Sequence, residues 1–132
     1  LDEMQSGILD AKLPYLDKWN NFRRTVANRY INEINNEKIV LPKVAPYNEH
    51  VWHIFPILVK DRDKFIKYMA DNDIQCLIHY PTAIHKQPAY NELNDLSYPL
   101  AEKYAAEEVS LPMFYGMTDE EVNYVIDIIN KY

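Results

Sequence analysis

The densest group of chemically versatile side chains is His79-Tyr80, followed closely by His85 and Tyr90. Imidazole and phenol groups can each donate or accept a hydrogen bond, and imidazole can titrate near neutral pH. The group lies where a predicted strand ends and a loop begins, which is a usual place for binding residues. These side chains suit the recognition of hydroxyl or phosphate groups. The alternative is that Tyr80 packs and the histidines lie solvated on a loop, and the pattern alone favours that alternative.

The sequence predicts no metal site and no catalytic residue. Neither His50 with His53 nor His79 with His85 has the helical i, i+4 spacing of paired ligands, and only one cysteine is present. That cysteine, Cys76, lies in a predicted strand, where a small buried hydrophobic role is favoured over a nucleophilic one. A hydrolase that pairs Cys76 with His79 is a further alternative. It would need a bulge, because residues three apart on a strand point to opposite faces.

Composition narrows the class of protein. The 132 residues carry a net charge of −6, which disfavours nucleic-acid binding, since such binding requires a basic face. Two glycines are too few to indicate a phosphate-cradling loop. A lone cysteine fits a reducing compartment, and no apolar stretch is long enough to span a membrane. We therefore expect a cytoplasmic protein without nucleic-acid or membrane partners.

The elements that must position the polar group alternate between helical and extended patterns. Apolar spacing predicts a helix over 2–13, a second helix from Pro14 to about residue 35, and a last helix after a capping box formed by Thr118 and Glu121. Strands are predicted over 50–60 and 74–80, and residues 110–112 form a short strand or loop. Because Pro56 cannot donate to a ladder, the first strand is expected at a sheet edge or with a bulge.

Two further helices are predicted between and after these strands. Asp61 is expected to cap a helix over 62–71, and a helix over 98–109 is expected to bury Leu100, Tyr104 and Ala105. The order of elements predicts an α/β (α+β) domain, with a small, mainly antiparallel sheet packed with helices. We interpret residues 1–132 as one domain, in which 1–36 are linking helices and 37–132 form an α/β sandwich.

Several motifs extend from the first residue to the last helix. They are Leu1-Asp2-Glu3-Met4-Gln5, Val51-Trp52-His53-Ile54-Phe55, Ile78-His79-Tyr80-Pro81, His85-Lys86-Gln87-Pro88-Ala89-Tyr90, Leu111-Pro112-Met113 and Thr118-Asp119-Glu120-Glu121. Together, and in this order, they resemble the C-terminal domain of the DegT family of sugar aminotransferases. Pro56 and the loop Thr82-Ala83-Ile84 depart from the family pattern. The stretch 77–90 is most similar to enzymes that aminate C3 of a dTDP-linked 6-deoxy-3-keto hexose, and a C4 aminotransferase is a near alternative.

The resemblance implies a fold-type I enzyme that uses pyridoxal phosphate (PLP) and moves an amino group from glutamate to a nucleotide-linked keto sugar. It implies a homodimer and an N-terminal PLP-binding domain in the same chain. It places His79 and Tyr80 near the sugar, with His85 as a weaker substrate-binding candidate. No lysine here matches the motif of the Schiff-base lysine. We therefore expect no cofactor-binding residue, no stable PLP binding and no transamination from these 132 residues alone.

The start of the chain favours the same interpretation, because the sequence opens at Leu1 directly in a helical pattern. A fragment of a longer protein is the simpler expectation. The competing hypothesis is a stand-alone domain that binds a small molecule or a protein partner. An upstream coding region of roughly 240 codons with a Schiff-base lysine would favour the aminotransferase, because the remaining domain must be large.

Overall fold

The sheet of this protein has three short antiparallel strands in the order β1-β2-β3. The structure is a computed structural model that describes residues 2–132, so Leu1, which begins the first motif, lies outside the described residues. The strands are β1 (Ile39–Val40), β2 (Phe55–Val59) and β3 (Glu108–Leu111). The helices are α1 (Glu3–Lys12), α2 (Leu16–Glu33), α3 (Arg62–Ala70), α4 (Pro99–Glu107) and α5 (Asp119–Lys131). Short 3-10 turns occupy Leu13–Tyr15, Ile84–Lys86 and Pro88–Leu93. The predicted architecture of helices packed on a small antiparallel sheet is confirmed.

The register of the sheet gives its two faces different chemistry. Phe55 pairs with Leu111 and Ile57 with Val109, and these four buried apolar residues form one face. Helices α2, α3 and α5 supply most of the rest of the core against them. Their buried members are Val26, Ala27, Tyr30, Phe65, Met69, Val122, Val125, Ile126, Ile128 and Ile129. Because opposite residues share a face, the other face carries the pairs Pro56 with Ser110 and Leu58 with Glu108.

Phe55 is the point where α2 meets the sheet. Its fully buried ring lies 5.1 Å from the ring of Tyr30 and 5.1 Å from that of Trp52, centroid to centroid. The Tyr30 hydroxyl donates to the carbonyl of Pro112, 3.0 Å away, so this buried phenol is satisfied. The second half of α2 therefore belongs to the core, and the division of the chain at residue 36 stays a prediction.

The first predicted strand is shorter than expected and is not at an edge. Trp52 has a φ of 52°, and its N–H donates to Nδ1 of His50 over 2.9 Å, so the chain turns before β2 begins at Phe55. Pro56 lies in the central strand, which corrects the edge prediction. It is tolerated because β1 pairs only with Leu58 and Val59, so no strand lies on that side of Pro56.

The predicted strand over 74–80 is also wrong. Its one ladder contact is a bridge between Leu77 and Ser110 on the outer side of β3, with N–H···O distances of 3.2 and 2.8 Å. The chain enters this segment through Asp73 at φ 58°, which is turn geometry. At its end, the N–H of His79 donates to the side chain of Glu108 instead of to a strand. A hydrogen bond to a side chain therefore replaces regular strand pairing at the end of this segment.

Helix α4 departs from its prediction in length and in burial. It ends at Glu107, and residues 108–111 become β3, because pairing with β2 outweighs local helix preference. Leu100 and Tyr104 are 64% and 49% exposed, and α4 has no buried residue, so the predicted buried face is wrong. Helix α3 begins where expected, although the side chain of Asp61 makes no capping hydrogen bond.

Helix α5 begins with the predicted capping box, which is confirmed. The N–H of Glu121 donates to Oγ1 of Thr118 over 3.2 Å, and the N–H of Thr118 donates to Oε2 of Glu121 over 2.8 Å. We expect Thr118→Ala to lower the free energy of unfolding by about 1 kcal/mol, the usual value of a lost N-cap. Urea unfolding checks this, with the exposed Thr82→Ala as the matched control. Equal unfolding midpoints for the two variants would contradict it.

Helix α1 and the turn after it contribute no buried side chain. Met4, Ile8, Leu9 and Leu13 are all exposed, and we call these four residues the exposed apolar set. An apolar group of this kind on a folded domain usually marks a contact surface. Within residues 2–132, no helix is long and apolar enough to cross a membrane.

Candidate functional site

Two cavities meet at His79. Cavity 1 has a volume of about 720 Å³ and extends from β1 and β2 across to α4. Cavity 2, of about 490 Å³, lies towards α5. His79 lines both cavities, whereas Tyr80 lines only the first. Cavity 1 has mainly apolar walls with a few polar groups, which is the usual composition of a small-molecule site. Its polar side chains are Lys43, His79, Tyr80, Thr82, Gln87, Tyr104 and Glu108.

His79 is positioned by two side chains of β3. Its backbone N–H donates to Oε2 of Glu108 at 2.6 Å, and its ring Nδ1 lies 2.9 Å from Oγ of Ser110. The Ser110 hydroxyl donates to Oε1 of the same glutamate at 2.5 Å. Glu108 and Ser110 are both buried, so this network is shielded from water. The half-buried imidazole is thereby fixed at the wall between the cavities.

Tyr80 lies at the mouth of cavity 1. It is 74% exposed, and its ring is edge-on to that of His79, with 5.5 Å between the centroids. The peptide bond between the two residues is cis. An exposed phenol beside a fixed imidazole gives the mouth of cavity 1 two hydrogen-bonding groups. The structure therefore brings His79 and Tyr80 together, as the sequence grouping predicts.

His85 lies apart from this pair. It is buried, its Nε2 lies 2.9 Å from Oε1 of Glu102, and its ring packs on Tyr98 at 4.9 Å. The hydrogen bond from His85, together with one from the N–H of Tyr98, lowers the pKa of Glu102. His85 is absent from the described lining of both cavities. Its contacts join the loop after Tyr80 to the start of α4, and its substrate-binding role stays a prediction.

The other two histidines differ in their surroundings. The His50 ring packs on Trp52 at 4.2 Å, while His53 is exposed and lines cavity 2. Across the described part of the chain, no three His, Cys, Asp or Glu side chains lie close enough to hold a metal ion.

Cys76 is half-buried against the core, and burial raises the pKa of its thiol to about 12. A nucleophilic cysteine needs a lowered pKa, so the raised pKa favours the packing role over the nucleophilic one. We expect a thiol reagent at pH 8 to modify Cys76 about a thousandfold more slowly in the folded chain than in urea, because an unperturbed thiol has a pKa near 8.5. Stopped-flow absorbance measures both rates. Similar rates in the two states would contradict the pKa shift.

Glu108 and Ser110 were not predicted as site residues. The prediction over 98–109 placed Glu108 in a helix, and the prediction over 110–112 placed Ser110 in a separate short strand or loop. Nevertheless, Glu108-Val109-Ser110-Leu111 alternates polar and apolar residues as a half-buried strand does. Recognising that alternation would have placed both polar side chains on one face, two residues apart.

The model of the DegT/DnrJ/EryC1/StrS aminotransferase family matches residues 1–130 of this chain. The chain is 46% identical over all of its length to dTDP-3-amino-3,6-dideoxy-alpha-D-galactopyranose transaminase from Aneurinibacillus thermoaerophilus, and it covers 36% of that protein. It is 39% identical over 96% of its length to the erythromycin biosynthesis sensory transduction protein EryC1 from Saccharopolyspora erythraea, and it covers 35% of that protein.

Among solved structures, DesV of S. venezuelae superposes with a TM-score of 0.94 at 34% identity. That match covers 99% of this chain and 36% of DesV. The chain thus spans little more than a third of the length of the proteins it matches. The matches to these three proteins cover 100%, 96% and 99% of this chain.

Proposed function

Because this chain belongs to the DegT/DnrJ/EryC1/StrS aminotransferase family, we propose that it is the small C-terminal domain of a PLP-dependent enzyme. That enzyme would transfer an amino group from glutamate to a nucleotide-linked keto sugar. The observation that carries this proposal is the 46% identity, over the whole chain, to a transaminase of a dTDP-linked 3-amino sugar. The substrate we propose is therefore a dTDP-linked 3-keto-6-deoxyhexose, with amination at C4 as the nearest alternative.

Within that enzyme, His79 and Tyr80 would bind and orient the sugar. Both line the mouth of a cavity whose remaining wall is mostly apolar, so their hydrogen bonds would determine how a sugar ring lies there. Orientation lowers the barrier of a reaction between bound groups without new covalent chemistry from the protein. His85 would contribute less directly, because its ring is already bonded to Glu102.

The residues that line cavity 1 do not fit PLP by themselves. Proteins hold a phosphate group with cationic side chains or the N-terminus of a helix. The described lining of cavity 1 offers one cationic side chain, Lys43, and places the carboxylate of Glu108 in the same wall. PLP supplies the amino-transfer chemistry when bound. We propose that its lysine and phosphate ligands lie in a separate large domain, and that these 132 residues neither bind PLP stably nor transaminate alone.

The exposed apolar set gives that large domain a surface to contact. Its four side chains leave apolar area in water, and covering such area against a neighbouring domain stabilises the contact. We propose that this set packs on the PLP-binding domain of the same enzyme, and that the enzyme is a homodimer.

A second candidate function is a ligand-sensing or interaction domain. The relative with 39% identity is named a sensory transduction protein, and cavity 1 could bind a sugar nucleotide without converting it. The same His79–Tyr80 pair would serve either function, so binding alone does not separate the two candidates. Turnover does, because a sensing domain has no amino donor.

The experiment is a PLP and glutamate assay on the enzyme with its large domain, beside the 132-residue chain. We expect the larger protein to show the visible absorbance of bound PLP, and we expect glutamate to remove that absorbance. The dTDP-linked 3-keto-6-deoxyhexose should then restore it, and mass spectrometry should identify an amino sugar. The 132-residue chain should show neither absorbance nor turnover. A larger protein that binds the sugar nucleotide but not PLP would overturn the aminotransferase proposal in favour of the sensing domain.

A further inference from the structure

The network around His79 constrains which of its ring nitrogens carries the proton. Glu108 accepts two hydrogen bonds, from the backbone N–H of His79 at Oε2 and from the Ser110 hydroxyl at Oε1. A hydroxyl has one proton to donate, and here that proton is directed to the carboxylate. Ser110 can then only accept a hydrogen bond from Nδ1 of His79, 2.9 Å away. A neutral imidazole in this position has its proton on Nδ1.

The opposite tautomer would break the network at a buried position. With the proton on Nε2, Nδ1 would need a donor, and Ser110 would have to turn its hydroxyl away from Glu108 to provide one. The buried carboxylate would then lose one of its two donors, which is costly away from water. The arrangement with Nδ1–H satisfies every member of the network.

The second ring nitrogen of His79 remains available to a ligand. Nε2 makes no hydrogen bond within residues 2–132, and this nitrogen is not buried. His79 borders both cavities, so a ligand in either cavity can lie against its ring. In the Nδ1–H tautomer, Nε2 presents a lone pair and accepts a hydrogen bond.

We propose that Glu108 and Ser110 are positioning residues that fix His79 as the Nδ1–H tautomer, so that Nε2 selects a donor group on the ligand. Resting on the function proposed above, this means that Nε2 accepts from a sugar hydroxyl. A keto oxygen or a phosphate oxygen has no proton to offer and would be disfavoured at that atom. The buried pair thus acts on the substrate through His79, and determines which part of the sugar nucleotide can lie against it.

Nuclear magnetic resonance reads the tautomer directly, from long-range proton–nitrogen correlations in the complete enzyme labelled with ¹⁵N-histidine. The signals lost in His79→Gln identify His79. We expect Nδ1–H in the unmodified enzyme. Glu108→Gln keeps the shape of the side chain, but its amide N–H₂ would donate a hydrogen bond to Oγ of Ser110. The Ser110 hydroxyl would then be free to donate to Nδ1 of His79. We therefore expect the ring proton on Nε2 in this variant. Glu107→Gln, a half-buried carboxylate next in the chain, is the matched control and should keep Nδ1–H.

Kinetics provide the second readout. Ser110→Ala should lower kcat/KM for the keto sugar roughly tenfold and leave the glutamate half-reaction unchanged, because the lost positioning affects only the sugar. Ser110→Thr keeps the hydroxyl and should recover most of the lost rate. An Nε2–H tautomer in the unmodified enzyme, or an unchanged tautomer in Glu108→Gln, would overturn the inference. The expected tautomers in a protein that does not transaminate would overturn only the proposed function.

Discussion

His79→Ala is expected to lower kcat/KM for the keto-sugar nucleotide by about 10²- to 10³-fold, and to leave the glutamate half-reaction within about twofold. The imidazole is held by a buried network at the wall of cavity 1, so its loss removes a pre-oriented polar contact and not a mobile one. Glutamate lacks the sugar ring, which is why the donor step should not change. Single-turnover absorbance measurements separate the two halves of the reaction.

Three comparison variants test whether the effect of His79→Ala is specific to the sugar site. Tyr80→Phe removes only a hydroxyl at the mouth of cavity 1 and should cost about tenfold in the same sugar step. Tyr47→Phe removes the hydroxyl of another exposed tyrosine, outside the described lining of both cavities, and should have no effect. His53→Ala alters cavity 2 without touching cavity 1. Equal losses of kcat/KM in His53→Ala and His79→Ala would indicate that the sugar binds in cavity 2.

Phe55→Ala should be the most damaging single change to the fold, lowering the free energy of unfolding by about 3–5 kcal/mol. The ring is fully buried between Tyr30 and Trp52, in the strand that joins the other two. Its removal leaves a cavity where α2 meets the sheet, and the surrounding backbone cannot close it. A loss of this size is a large fraction of the roughly 5–15 kcal/mol that keeps a domain folded.

The matched control is Phe114→Ala, since Phe114 is half-exposed and outside the core cluster. We expect that change to cost about 0.5 kcal/mol or less. Urea unfolding followed by circular dichroism measures both variants under one set of conditions. Comparable losses for the two phenylalanines would mean that Phe55 does not anchor α2 to the sheet.

The parts of the fold that could be predicted from sequence are those with strong local signals. Helix α5 combines a capping box with four apolar residues at helical spacing, and each signal supports the other. Helix α2 follows from its long apolar periodicity, even though the first half of that stripe is only partly buried. The grouping of His79 with Tyr80 needed only adjacency in the chain.

The predictions that were wrong concern segments whose structure depends on residues distant in the sequence. Residues 74–80 have the composition of a strand, but Glu108 binds the N–H of His79, and a contact across 29 residues leaves no local trace. Leu100 and Tyr104 have helical spacing, yet residues 2–132 leave about half or more of each side chain exposed. Periodicity indicates which side chains could be buried together, and cannot say whether another part of a protein buries them.

The sheet has a consequence for how this protein avoids uncontrolled association. Its edge strand β1 is two residues long, and the outer side of β3 is interrupted by the bridge to Leu77. Short or occupied edges offer few free N–H and C=O groups to a strand from another molecule. Within the described chain, growth of intermolecular β-structure is therefore disfavoured at both margins. Self-association is left to the helices, whose packing can specify a defined assembly instead of an open-ended one.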